Sequence, residues 1–209
     1  MKKLWLVCFA GAVSTCVLPA QETSRFTFNL GAGFTTPVGA TSRRLDTGWN
    51  IDGGAGVNLS SRFGLMLQAN YSELGVGSNT LNGLGFAGGG VHTASFTLDP
   101  VVHLNPHGKV DVYAIGGFGL YHRTQEFTQP GISSFVGFDP FFGFYQTDVP
   151  VNQVVASYTV NKPGVNGGMG LSFGGWHSAK FYAEARYHRI IISENRHSDY
   201  VPVTFGIRF

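Results

Sequence analysis

Tyr200-Val-Pro-Val-Thr-Phe-Gly-Ile-Arg-Phe209, the last ten residues, decide the fold. Side chains alternate across an extended strand, so Val201, Val203, Phe205, Ile207 and Phe209 share one face. Pro202, Thr204, Gly206 and Arg208 share the other. Two readings fit this segment. As the last strand of a soluble β-sandwich, an edge this apolar would invite aggregation. As the closing strand of a barrel in lipid, its apolar face meets acyl chains and its polar face meets the lumen.

The same alternation recurs upstream. Residues 25–34 place Phe26, Phe28, Leu30, Ala32 and Phe34 opposite Thr27, Asn29, Gly31 and Gly33. Further strands are read over 49–59, 63–72, 92–104, 110–121, 165–173 and 181–187, with residues 200–209 as the eighth. The fifth is the least legible, because Tyr113, Ile115 and Tyr121 share a face with Asp111, leaving Val112, Ala114, Phe118 and Leu120 outside. Pro100 lacks an amide hydrogen and predicts a local bulge. Before residue 165 the apolar phase is reversed (Val154, Ala156, Tyr158, Val160), which predicts a bulge or break near Pro163-Gly164.

Short turns are read at 60–62, 105–109 and 174–178, and long loops at 35–47, 75–90, 123–153 and 190–198. The long and short connections alternate, as in an up-and-down barrel with its termini and tight turns on the periplasmic side. The charges inside strands also keep one parity: Asp52, Asp99, Asp111, Glu184, Arg186 and Arg208 all oppose the apolar face. An Arg or Lys facing lipid at mid-bilayer costs roughly 2–4 kcal/mol, a reason for charges to point inward. Aromatic residues gather at strand ends, with Phe63, Phe173, Phe181 and Phe209 near short turns and Trp49, Tyr71 and Tyr187 near long loops. Such girdles mark the two bilayer interfaces.

Composition agrees. Only 12% of the 209 residues are charged, against roughly 25% in soluble domains, while 30 are glycine and 18 phenylalanine. Residues 1–20 read as a cleaved signal peptide, with basic Lys2 and Lys3, an apolar run over 4–17 and Ala20 before the cut. Cys16 raises the alternative of a lipoprotein, but Thr15 is a poor residue before a lipidated cysteine. Cys8 and Cys16 both lie in this leader, so the mature chain, residues 21–209, has no disulfide or thiolate metal site. Two of the 14 basic residues lie there as well, leaving 12 against 12 acidic ones and nothing that favours a nucleic-acid partner.

The free terminal Phe209, preceded by Val203, Phe205 and Ile207 at every second position, resembles the C-terminal signal of bacterial outer-membrane β-barrels. That resemblance implies recognition by the barrel assembly machinery. With the strand Lys180-Phe-Tyr-Ala-Glu-Ala-Arg-Tyr-His188 and the strand Gly164-Val-Asn-Gly-Gly-Met-Gly-Leu171, the mature chain resembles the OmpA-type and OmpX-like barrels. The resemblance implies an all-β, transmembrane, eight-stranded antiparallel up-and-down barrel in the outer membrane, surrounded by its lipid and lipopolysaccharide. Two-domain members add a peptidoglycan-binding domain after the barrel, an activity not implied here.

Lumen chemistry follows from size. Eight strands leave an interior that side chains can fill. Asp52, Asp99, Glu184, Arg186 and Arg208 are therefore expected to form a polar plug, with an arginine bridging carboxylates. The same residues serve equally as the ion pairs of a gate. His177-Ser178 and His197-Ser198 are adjacent pairs whose side chains point apart in a strand, so neither suits a nucleophile and its base. Gly83-Leu-Gly85-Phe-Ala-Gly88 matches a dinucleotide-binding pattern, but that pattern needs a strand and a helix around it and no helix is expected. No catalytic, cofactor or metal residues are assigned.

Phe135, Phe138, Phe141, Phe142, Phe144 and Tyr145 make the longest loop unusually aromatic. Either they fold together above the membrane, extending the flanking strands, or they form a contact surface for an unknown extracellular partner. The expected function is a non-enzymatic outer-membrane barrel serving envelope structure or surface interaction. A narrow channel for ions or small solutes is the alternative. A soluble ligand carrier, a third class, would bury its apolar faces inside.

Overall fold

The computed structural model describes residues 25–209 apart from 107, 177–178 and 194–195; the expected signal peptide lies outside them. Eight antiparallel strands follow one another around a ring: β1 Phe26–Pro37, β2 Gly48–Asn58, β3 Phe63–Gly75, β4 Gly88–His103, β5 Val110–Asp139, β6 Gly143–Trp176, β7 Ala179–Ser193 and β8 Arg196–Arg208. β8 pairs with β1 from Asn29↔Arg208 to Pro37↔Tyr200, so neither strand is left as an edge. Phe209 completes the seam: its amide donates to Phe28 O at 2.8 Å, and its carbonyl accepts from Phe28 N at 3.1 Å.

The burial is inverted relative to a soluble protein. Leu30, Leu67, Phe96, Phe118, Leu120, Met169 and Phe205 lie exposed on the outside, while Thr27, Asn50, Gln68, Thr97, Asp99, Glu184 and Arg186 are buried within. An apolar belt of that extent requires lipid around it. The soluble carrier, with its apolar faces inside, is thereby excluded. Each strand keeps the facing expected of it, including the fifth, where Asp111, Tyr113, Ile115 and Tyr121 are buried and Phe118 and Leu120 exposed.

Four local expectations need correction. Pro100 makes no bulge. It faces outward opposite Leu65, and the β4–β5 register is the same at Leu98↔Phe118 and Val101↔Ile115. The missing amide interrupts the ladder without adding a residue. No break occurs at Pro163-Gly164 either, since β5 and β6 hold one register from Val110↔Phe173 to Phe127↔Ala156. The shift falls at Phe127/Thr128, where Val155 is the extra residue. Apolar phase reverses upstream because that part of β6 has no partner in β7, whose ladder ends at Gly164↔Ile190. Outside the barrel no lipid selects one face.

The expected loops 123–153 and 190–198 are strand for most of their length. β5 and β6 continue as a two-stranded ribbon up to Asp139↔Gly143, and β7 and β8 pair up to Ser193↔Arg196. An antiparallel ribbon satisfies its own backbone, so long connections shrink to tight turns. At the ribbon tip Asp139 Oδ1 accepts the amides of Phe141 (2.7 Å) and Phe142 (3.1 Å), and Gly143 takes φ 80°.

A helix does form. α1, Ser78–Leu84, lies in the glycine-rich connection, and a single 3-10 turn spans Thr41–Arg43. Gly85, one of the glycines of the dinucleotide-like pattern, stops α1 with φ 75°. Its amide bonds Asn82 O, and Phe86 N bonds Leu81 O, the pairing that ends helices in the left-handed conformation. Leu81 packs onto Leu45, Leu74, Val76 and Val91, which explains why so short a helix persists.

Candidate functional site in the lumen

Alternation along the strands points the polar face of each into one narrow interior. β7 supplies Glu184, Arg186 and His188; β4 supplies Thr97 and Asp99; β2 supplies Asp52; β8 supplies Arg208. All seven are buried.

Arg186 is the hub. Its Nη1 donates to Asp99 Oδ2 at 2.9 Å, across from β7 to β4, and its Nε donates to Glu184. Asp99 also accepts Thr97 Oγ1 at 2.6 Å and Asn166 Nδ2 at 2.8 Å. Glu184 Oε2 accepts the Tyr113 hydroxyl at 2.9 Å and lies 3.8 Å from Arg208 Nη2. Arg208 donates to Tyr113 Oη at 3.1 Å, and its guanidinium carbon sits 4.4 Å from the Tyr113 ring centre and 5.2 Å from that of Tyr182. A cation stacked between two aromatic rings is stabilised there by their quadrupoles.

Asp52 departs from the sequence expectation. Among the described residues it forms no ion pair with an arginine. The Tyr182 hydroxyl (2.9 Å) and Asn29 Nδ2 (3.2 Å) hold it instead. Arg186 turns its Nε and Nη1 to Glu184 and Asp99, and Tyr182 stands between Asp52 and Arg208.

Sequence reasoning placed the tyrosines inward without giving them a part in the network. A signal was available in the inward glycines. A Cβ on Gly170 would strike the Tyr113 ring, and one on Gly206 would come within 2.6 Å of the Tyr182 ring. These glycines leave the lumen space that the tyrosines fill.

The space bordered by Asp52, Thr97, Glu184, Arg186, His188 and Thr204 has a volume of about 10 Å³, room for roughly one water molecule. Toward the loop end a second layer follows, in which Asn50 bonds Thr35 (3.2 Å) and Thr204 (2.9 Å), and Thr35 bonds Ser72 (3.2 Å). Beyond it His188 bonds Tyr121 at 3.0 Å and stacks on Tyr200 with ring centres 5.1 Å apart. At the other end His103 and Asp111 pair at 2.5 Å.

Among the described residues the expected His-Ser pairs do not form a nucleophile with its base. His197 is exposed and Ser198 is buried on the opposite face, while His177-Ser178 lies outside the described residues. Among the described residues no three side chains of metal-ligating type converge.

The residues expected to form an assembly signal face outward at the C-terminal end of the chain: Phe205, Ile207 and Phe209 are exposed, and Val203 is half-buried. The aromatic residues do not collect into one cluster. Phe138 and Phe144 pair across the ribbon with ring centres 5.1 Å apart, whereas Phe141 and Phe142 stand free at the tip.

A family model for the outer membrane protein beta-barrel domain matches residues 6–209. The chain belongs to this family. As a member of the outer membrane protein beta-barrel family it is an integral protein of the Gram-negative outer membrane. Its fold is similar to that of Neisserial surface protein A, at 12% identity and TM-score 0.52, covering 90% of this chain and 98% of that one. Similarity extends to OprG of Pseudomonas aeruginosa (13% identity, TM-score 0.49, 88% of this chain and 95% of that). Ail of Yersinia pestis is also similar (16% identity, TM-score 0.46, 88% and 97%). No curated protein sequence matches the chain.

Proposed function

We propose that the protein is a closed, non-enzymatic outer-membrane barrel whose work is done by what it holds outside the cell. One observation supports this reading: buried, paired side chains around Arg186 cross the lumen from β7 to β4, and the space they border has room for roughly one water. A solute or hydrated ion would have to break several buried, charge-assisted hydrogen bonds to pass. Replacing such bonds is costly in a medium without water. The barrel is then a rigid anchor for the β5–β6 ribbon, and surrounding lipid and lipopolysaccharide are its lateral partners. The barrel assembly machinery is its partner during insertion, through Val203, Phe205, Ile207 and Phe209.

Proteoliposome swelling tests this. Vesicles carrying the refolded protein should swell in isosmotic glycerol or arabinose no faster than empty vesicles. Swelling that scales with the amount of protein would replace this reading with the channel alternative, which uses the same residues as a gate.

A further inference from the structure

We propose that the tip of the β5–β6 ribbon inserts shallowly into an opposing, electrically neutral phospholipid bilayer. This names a partner for the surface role just described and rests on that role.

Four observations converge. First, reach: beyond Gly88↔Thr128 the ribbon pairs with neither β4 nor β7, and the stretch from Thr128 to Asp139 spans roughly 35 Å at strand rise. The tip is therefore held well away from the membrane in which the barrel sits. Second, large apolar side chains cover both faces and the apex of the tip, and its one acid, Asp139, is turned onto the apex amides. Phe138 and Phe144 share one face, Phe135 and Tyr145 lie on the other, and Phe141 and Phe142 form the apex at 90% and 87% exposure. A groove on a protein partner reads one face of a ribbon. A tip that is apolar on both faces and at its apex suits immersion in a fluid apolar phase.

Third, the tip's backbone is prepared for that phase. From Thr128↔Val154 the ladder keeps one register to Asp139↔Gly143, and the two amides beyond it are both accepted by Asp139 Oδ1. Donors paired inside the turn do not have to give up water on entry, which otherwise costs several kcal/mol each in hydrocarbon. Fourth, charge selects the target. Residues 124–161 contain no Lys or Arg and three acids, Glu126, Asp139 and Asp148. An anionic surface such as lipopolysaccharide would repel this ribbon, and nothing on it would bind phosphate as a cation does. A neutral surface carries no such penalty. The unpaired outer edges of the shaft limit entry to the aromatic tip, at the interface where aromatic side chains settle.

The test uses the full-length protein in nanodiscs, mixed with protein-free phosphatidylcholine vesicles and separated by flotation. The parent should float with the vesicles. Phe141→Ser with Phe142→Ser should lower the floated fraction about tenfold or more, since two phenyl rings lose their burial. Heat-modifiable gel mobility of the variant confirms that its barrel is intact. Vesicles containing anionic lipid should bind less than neutral ones at low salt.

The proposal fails if the parent stays with the unbound fraction, or if the double variant floats as well as the parent. It also fails if binding requires vesicles that themselves carry the protein, an outcome that would make a second copy the partner. None of these failures touches the swelling test, so the closed-barrel reading stands or falls separately.

Discussion

Arg186 Nη1 and Asp99 Oδ2 meet at 2.9 Å in the middle of the barrel, and both side chains are almost wholly buried. The pair joins β7 to β4, nearly opposite walls of an eight-stranded ring. Breaking one partner of a buried pair costs about 3–5 kcal/mol, because the other charge is left uncompensated. Arg186→Met should therefore lower the urea midpoint of unfolding far more than Ala185→Val, one residue away on the lipid side. Equal midpoints for the two variants would remove Arg186 from the role of hub.

The glycines that admit the tyrosines give a sharper packing test. Gly170 and Gly167 are three residues apart on β6, yet a Cβ on Gly170 strikes the Tyr113 ring and one on Gly167 meets nothing within 4 Å. Gly170→Ala should destabilise by about 1–3 kcal/mol through overpacking, and Gly167→Ala should be neutral or slightly stabilising. Denaturant melts of the two side by side decide it.

The sequence stated the barrel and its inside–outside pattern, and the reasons are physical. Lipid imposes one face on every spanning strand, so parity was readable even in β5, where Tyr113 and Tyr121 look apolar but turn inward. Where lipid stops, the signal stops. Val154, Ala156, Tyr158 and Val160 follow no membrane constraint, and the ribbon beyond Phe127 carries the pattern of a loop. The helix α1 was missed because its tertiary contacts, Leu81 onto Leu45 and Val91, have no local pattern. In the lumen the charged residues were legible by parity, but which carboxylate takes which donor was not. Asp52 is held by Tyr182 and Asn29, while Arg186 pairs with Asp99 and Glu184.

Phe209 closes the β1–β8 seam through two backbone bonds with Phe28. Deleting it should cut assembly into the outer membrane sharply while export continues, so that protein accumulates in the periplasm or is degraded there. Normal levels of heat-modifiable, membrane-inserted protein after the deletion would show that neither the seam bond nor the terminal aromatic matters for insertion.

Orientation is testable on intact cells. The ribbon tip and α1 lie at one end of the barrel, and the connections from β2 to β3 and from β4 to β5 lie at the other. Short turns on the periplasmic side are the rule for these barrels. Epitopes inserted at Gly85 or beside Phe138 should be labelled by antibody on whole cells, and those at Ser61 or Gly108 only after permeabilisation. The opposite pattern would place the ribbon in the periplasm and end its role as a surface element.

The central claim is that a network centred on Arg186 keeps this membrane barrel shut, and single-channel recording in planar bilayers tests it most directly. The parent protein should add no conductance steps at 100 mV in 1 M KCl, conditions of roughly 2.3 kcal/mol per charge crossing the field. Arg186→Ala with Asp99→Ala, which empties the centre of the lumen while removing both charges, should produce small discrete steps. Discrete steps from the parent, equal in size to those of the double variant, would contradict the account.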